Sequence, residues 1–467
     1  MNKKILRNIL INVLYQILAI LTPLILMPYL TRTLGSKGVG EYAYHYAIAS
    51  YFGLFSMLGI VMYGNRTIAK ARDLKERSKS FYEIYCIQII SSSFVMIAYA
   101  IFLYARNDKI LIGWIFEILL IAYLFDISWF FFGIEEFKVT VTRNLIIKVA
   151  SIILIFITVR SKEDVYIYAF ITCFLTLVAN LFLYSNLKGK ICKIEYKELN
   201  LKIHIKNIFI FFIPIITISI YNILDKVMLG ALSDINEVGF YECSEKVKNL
   251  PMAFVTAVGT VMLPRISNLF ENGKNQEGRK YLEYSLNISM LVVSPICFGM
   301  MGIADVFVPL YYGNGFERCS EIYQFLLLSC IFLCFAQNIK TQYLIPENKE
   351  RIFIFSTFYG AIVNVVLNLM LIPQYGAVGA AAGTLGAEIV VWAYQCIKAK
   401  KDIPIIRYVN NVIPFIISGI LMFIIVKNMN NLCKDIIIDI LFKVFIGFLV
   451  YNIVLIGIFW LKYFRRR

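Results

Sequence analysis

Acidic and basic side chains recur inside segments of this chain that are otherwise apolar, and these are the residues equipped to do chemistry. Glu41 and His45 stand in one such segment, Glu83 near the start of the next, Glu117 and Asp126 in a third and Lys148 in a fourth. Further along come Asp225 and Lys226, then Glu242, Glu245, Lys246 and Lys248, and finally Glu388. An ionisable group costs about 3 kcal/mol in hydrocarbon, so it must face protein or water. Both signs occur in both halves of the chain, and the economical arrangement is a polar cavity between two lobes. Residues within two turns of a helix end reach the headgroups instead. Glu41, Glu83, Glu242, Asp225 and Lys226 fit that second placement, whereas Glu117 sits further in.

Other chemistries are poorly supported. The ten cysteines are scattered, with no CxxC pair and no Cys/His cluster. Cys330 and Cys334 share a helix face, but two thiols without further ligands are more often small core residues than a metal site. Only His45 and His204 are available for zinc or for a Ser-His-Asp arrangement. The small-residue run Tyr375-Gly376-Ala377-Val378-Gly379-Ala380-Ala381-Ala382-Gly383 has no strand before it and no Lys-Ser/Thr after it. It therefore reads as helix packing in lipid and not as a phosphate loop. No cofactor is expected.

The elements that must hold these groups follow from hydropathy. Hydrophobic residues make up 60% of the chain and charged residues only 16%, where a soluble domain carries about 25%. Apolar stretches of spanning length fall at 8–31, 41–63, 81–104, 110–132, 142–159, 165–186, 208–230, 239–263, 282–303, 321–343, 352–372, 377–397, 408–426 and 436–460. The expected fold is thus an all-α integral membrane protein of about fourteen transmembrane helices. Positive charge concentrates in Arg66–Lys79, Lys188–Lys206, Arg265–Lys280, Lys340–Arg351, Lys398–Arg407 and Lys462–Arg467. Even-numbered loops and the termini hold more than three times the Lys and Arg of the odd-numbered loops. The positive-inside rule then places both termini in the cytoplasm. It also explains the net charge of +16 without nucleic acid, and basic loops favour anionic membrane lipids. The N-terminal Lys3-Lys4-Arg7 and apolar run resembles a signal peptide, but its length, Pro23 and Pro28, and the lack of a small-residue cleavage site predict a retained first span.

The longest polar connection divides the chain. The expected organisation is an N-lobe at 1–187, a cytoplasmic linker at 188–207, a C-lobe at 208–400 and two C-terminal helices at 401–467. A weak repeat agrees with this: Val39-Gly40-Glu41-Tyr42, Phe55 and Arg66 align at a constant offset of 199 with Val238-Gly239-Phe240-Tyr241, Phe254 and Arg265. Two pseudo-repeated six-helix lobes around a central cavity are the expected architecture, since transporters are often built this way. Pro23, Pro28, Pro214, Pro251 and Pro295 fall inside predicted helices, where each removes a backbone bond and permits a kink.

Four stretches resemble one family. They are Thr31-Arg32-Thr33-Leu34-Gly35 through Glu41-Tyr42; Asp126-Ile127-Ser128-Trp129-Phe130-Phe131-Phe132-Gly133 through Lys138 with Arg143-Asn144; Leu224-Asp225-Lys226-Val227-Met228-Leu229-Gly230 through Tyr241; and Tyr343-Leu344-Ile345-Pro346 through Asn364, Asn368, Pro373–Ala381 and Glu388. In this order they resemble the polysaccharide-transport (Wzx-type) flippases of the multidrug/oligosaccharidyl-lipid/polysaccharide (MATE/MOP) exporter superfamily. The last two helices match by hydropathy only.

The resemblance implies transport of an undecaprenyl-pyrophosphate-linked glycan across the bacterial cytoplasmic membrane for capsule, exopolysaccharide or O-antigen assembly. Polysaccharide polymerase and export proteins are the implied partners. A diphosphate cannot cross hydrocarbon unpaired, and Arg suits it by bidentate geometry. Arg32, Arg66, Lys226 and Arg265, with Lys148, are the candidate cations; Arg66 and Arg265 serve equally well as interfacial anchors. Glu41, Glu117, Asp126, Asp225 and Glu388 are candidates for coupling transport to Na+ or H+. The nearest alternative is a cation-coupled drug antiporter of the same superfamily, which would favour a more acidic cavity. A membrane polymerase would need a sizeable outer loop and an acyltransferase a catalytic histidine in a span, so an enzyme is not expected. A pure scaffold has no use for costly buried charges, and no ATP motif is present.

Overall fold

Hydrocarbon offers no water to backbone N–H and C=O groups, so a spanning segment must satisfy them within itself, as a helix does. The computed structural model describes residues 3–106, 111–430 and 435–464, apart from the side chains of 3–20, 214, 217, 218, 220–222 and 462–464. Cys433 and the side chains of Lys462–Arg467 lie outside the described residues. Sixteen α-helices follow one another: α1 (Lys3–Met57), α2 (Ile60–Lys70), α3 (Leu74–Ala105), α4 (Leu111–Ile115), α5 (Glu117–Leu124), α6 (Ser128–Gly133), α7 (Phe137–Thr158), α8 (Val165–Ser185), α9 (Lys202–Leu232), α10 (Ile235–Glu271), α11 (Asn275–Tyr312), α12 (Arg318–Ile339), α13 (Glu350–Tyr375), α14 (Ala377–Ala399), α15 (Ile405–Lys427) and α16 (Ile436–Phe464). There is no strand among the described residues.

Among the described residues, twelve helical stretches are long and apolar enough to cross a membrane, one of them Leu21–Lys70 with 50 residues. At 1.5 Å per residue that stretch is about 75 Å long, enough for two passes of a core about 30 Å thick. Its division point is Gly35, whose φ of 69° breaks the helix inside α1. An L-residue with a Cβ is strained there and glycine is not. With α9, which spans the seventh predicted segment, every one of the fourteen predicted segments is helical. Side chains on α3 show the expected apolar outer stripe: Ile90, Phe94, Ile97 and Ile101 are all exposed.

Two predicted helices are less regular than hydropathy suggests. The second ends at Leu58, which has φ 45°, and restarts at Ile60 as α2. Gly59 at the joint lies so close to α9 that a Cβ would sit 2.3 Å from the Ile208 carbonyl oxygen. The fourth is broken into α4, α5 and α6. Gln88 from α3 repairs the second break, donating from Nε2 to the carbonyls of Tyr123 (2.8 Å) and Asp126 (2.9 Å). Its Oε1 accepts from the Trp129 indole at 3.0 Å. A carbonyl released by a helix break would otherwise be buried unpaired, at a cost of about 1–3 kcal/mol.

The chain forms two compact units, Met1–Val227 and Met228–Arg467. In the first, α1 packs on α3, α5 and α7, and α5 packs on α8. Its core gathers Ile60, Phe81, Ile84, Trp129, Phe130 and Ile208. In the second, α10, α11, α12 and α14 pack together and α13 covers α14. The small residues of α14 allow that approach; a Cβ on Gly379 would lie 2.4 Å from the Leu371 carbonyl oxygen. The two last helices, α15 and α16, both dock on α11.

Candidate functional site

In the first unit, Arg32 lies one turn before the Gly35 break, exposed, with Nη1 donating to the Pro28 carbonyl at 2.8 Å. Beyond the break, half-buried Glu41 lies 4.0 Å from Lys37. Its neighbour Tyr42 joins an aromatic group, with ring centroids 4.3 Å from Tyr168 and 5.6 Å from Phe116. Tyr46 completes it, 5.9 Å from Tyr42. Glu117 follows Phe116 at the α4–α5 break and is half-buried, and its Oε2 has no hydrogen-bond partner among the described residues. The fold therefore brings a carboxylate with free bonding capacity beside an aromatic group built around α1. Asp225, on α9, is buried within electrostatic range of Tyr51 on α1.

Other predicted residues have structural partners. The Asp126 carboxylate accepts from the Ser128 backbone N–H at 2.9 Å, which starts α6. That bond and the Gln88 contacts explain why Asp126 and Trp129 occur together. Lys148 is half-buried on α7, and Arg66 on α2 is exposed with no ion pair to a described residue. The Arg143-Asn144 pair forms a clamp. Arg143 Nη1 donates to Asn180 Oδ1 at 3.1 Å and Nη2 to Asn144 Oδ1 at 2.8 Å. Asn180 in turn donates to the Ala122 carbonyl at 2.7 Å, tying α7 and α8 to α5.

In the second unit, Arg265 is exposed and lies over the Tyr281 ring at 5.4 Å. Lys226, near the junction of the units, is half-buried. Glu388 is 1% exposed on α14, one turn after Thr384, whose hydroxyl bonds the Tyr241 hydroxyl at 3.0 Å. Glu242 pairs with Lys246 at 2.7 Å. A cavity of about 530 Å³ lies among α11, α15 and α16, with Pro295, Met300, Met422, Phe448 and Tyr451 in its wall. Lys443 also lines that wall, and it holds Asp439 at 3.0 Å in a buried ion pair.

Sequence reasoning missed one cluster. Glu83 lies nine residues into α3, not at its start, and is 4% exposed. Its Oε2 is 2.7 Å from His204 Nε2, and His204 Nδ1 is 2.7 Å from the Tyr63 hydroxyl. Its Oε1 accepts from the Asn200 backbone N–H at 2.7 Å, just before α9 begins. With Nε2–H donated to the carboxylate, Nδ1 accepts the Tyr63 hydroxyl proton and every polar atom of the triad is paired. The carboxylate also complements the positive end of α9. Glu83 and His204 are 121 residues apart, and no spacing rule links them. Cys330 and Cys334 are buried free thiols.

Apolar helices in two units, with ionisable groups held inside, define a polytopic membrane protein. The structure matches "Lipid II flippase MurJ, inward closed conformation" with a TM-score of 0.74 and 16% identity, over 98% of this chain and 100% of that one. It also matches an inward-facing multidrug resistance MATE family transporter of the MOP superfamily, with a TM-score of 0.61 and 10% identity, over 80% and 94% of the two chains. The chain belongs to the polysaccharide biosynthesis protein family, whose sequence model matches residues 5–270. Among its relatives is a protein of Shigella dysenteriae named "Putative O-antigen transporter", 24% identical over 85% of this chain and 100% of that protein. A protein of the same name from Escherichia coli K12 is 25% identical over 82% and 94%. The family membership and the fold bear out the resemblance drawn from the four sequence stretches.

Proposed function

We propose that this protein is a flippase for a polyprenyl-pyrophosphate-linked oligosaccharide. It moves the repeat unit from the cytoplasmic to the outer leaflet of a bacterial cytoplasmic membrane, by alternating access coupled to an ion gradient, for assembly of a cell-surface polysaccharide. The names of its full-length relatives favour this cargo. The observation that carries the reading is the apolar cavity among α11, α15 and α16. An apolar chain gains about 25 cal/mol per Å² on leaving water, so this cavity suits the hydrocarbon chain of a lipid-linked cargo. Arg32, Arg66, Lys226, Arg265 and Lys148 are the cations assigned to the diphosphate. Glu41, Glu117, Asp126, Asp225 and Glu388 are assigned to the coupling ion, Na+ or H+, with Glu117 foremost because one of its oxygens is unclaimed among the described residues. The positive-inside pattern supports cytoplasmic termini.

The test is a leaflet-accessibility assay in liposomes carrying a fluorescent polyprenyl-pyrophosphate oligosaccharide under an imposed proton or sodium gradient. Transfer above empty liposomes is expected, lost in Arg32→Ala or Lys226→Ala without loss of folded protein. Retained transfer removes that residue from the mechanism. Absence of transfer together with gradient-driven efflux of a cationic dye would establish the drug-antiporter alternative.

A further inference from the structure

Where α11 and α15 begin and α14 ends, a pocket of about 460 Å³ is lined by Arg279, Lys280, Lys400, Lys401 and Arg407, and by the carboxylates of Glu283 and Asp402. Both carboxylates are already claimed. Glu283 takes Arg407 at 3.1 Å and the Asn411 amide at 2.6 Å. Asp402 takes Lys349 at 2.8 Å and the Tyr343 hydroxyl at 2.7 Å. Arg279, Lys280, Lys400 and Lys401 are left without an ion pair to any described residue, so the pocket carries uncompensated positive charge in a concave, field-focusing shape. The first turn of α15 opens into it. That helix has no side-chain cap and no acidic residue in its first turn; its Ile405 N–H donates to the Ile403 carbonyl at 2.8 Å, and the positive end of its dipole adds to the potential.

This pocket lies at the ends of three spanning helices, hence at a membrane surface. Exposed apolar side chains begin within one turn of it: Tyr284 and Ile288 on α11, Ile406 and Ile413 on α15. A cationic recess for a phosphate, with apolar surface leading away into the bilayer, matches the two ends of a phospholipid. We propose that the pocket is a binding site for the phosphate-bearing headgroup of an anionic membrane lipid. It stands apart from the transported cargo and does not depend on the flippase reading.

The test uses the full chain, purified in detergent and stripped of lipid. Retention by native mass spectrometry and the melting temperature are followed on adding phosphatidylglycerol, phosphatidylcholine or inorganic phosphate. Phosphatidylglycerol is expected to be retained and to raise the melting temperature, as a ligand selective for the folded state must; phosphatidylcholine is not. R279Q/K280Q/K400Q/K401Q is expected to weaken phosphatidylglycerol binding by at least about tenfold, since each interfacial cation contributes about fivefold. K188Q/K193Q/K197Q/K202Q, the same charge change elsewhere, is expected to leave it within about twofold. If the fourfold variant does not fold, K400Q/K401Q on exposed residues serves the same comparison, with a loss of about tenfold. Equal loss in the control variant, or no preference over phosphatidylcholine, overturns the proposal. Stabilisation by inorganic phosphate alone, lost in the fourfold variant, overturns the lipid as the source and leaves a free-phosphate site.

Discussion

The two units solve one problem in two ways. Each uses a carboxylate on one helix to take a backbone N–H at, or just before, the start of a helix far away in sequence. In the first unit, Glu83 of α3 accepts from Asn200, two residues before α9 begins. In the second, Glu237 of α10 accepts from Ala377, the first residue of α14, at 2.6 Å. The second partner differs. Glu83 is held by a buried histidine, itself held by Tyr63. Glu237 is held by Arg318 at 2.9 Å, on a side chain that is 39% exposed. A buried pair loses much when one member goes, because the other is left uncompensated, whereas water replaces the partner of an exposed pair. The same carboxylate device should therefore be fragile in the first unit and tolerant in the second.

The repeat shows a second contrast. Gly59 and Val258 stand at matching positions, 199 apart. The chain breaks at the first and runs through the second, inside the unbroken α10. At the first, α9 packs so close that a Cβ would lie 2.3 Å from the Ile208 carbonyl oxygen, a neighbour absent from the local sequence.

The largest effect should come from His204→Ala, which strands the Glu83 carboxylate and is expected to cost about 3–5 kcal/mol. A melting temperature no lower than that of Arg318→Ala would break the comparison. Next is Gly59→Ala, expected to cost about 1–3 kcal/mol by overpacking against α9; Val258→Ala should cost less than half as much, and equal thermal shifts would mean the two positions are not distinguished by that contact. Arg318→Ala should cost only about 1 kcal/mol, as an exposed ion pair does, measured by the same melts.

The smallest effect concerns pH in the second unit, where carboxylates pair with permanent cations. Lys349 and the Tyr343 hydroxyl hold the Asp402 carboxyl below its usual range. A depressed carboxylate contributes stability above its unfolded value of about 3.9 and loses it as pH falls through the lower folded value. The melting-temperature gap between the protein and Asp402→Asn should thus be constant at neutral pH and close in acid. A gap that closes near pH 6–7 would assign it to another group.

Much of the fold was legible because hydrocarbon imposes a simple rule on length and polarity. All fourteen segments and the Gly35 region followed from that rule. The breaks at Leu58–Gly59 and within residues 111–133 were not legible, because the groups that accommodate them, the backbone of α9 at Ile208 and the Gln88 amide, come from elsewhere in the chain. Among site residues, the sequence placed Glu117 further from its segment ends than Glu41, Glu83, Glu242 or Asp225, and it singled out Asp126 and Arg143-Asn144 as a motif. It had no means to see that Asp126 starts a helix or that Arg143 clamps three.

The sequence by itself determined a polytopic α-helical protein, its number of segments and its family, since hydropathy and local motifs are properties of neighbouring residues. Only the tertiary structure decided which polar groups meet: Glu83 with His204 and Tyr63, Lys443 beside an apolar cavity, and four unpaired cations around one pocket. Pairing energies fall off within a few ångströms, and residues 121 positions apart come within that range only when helices pack.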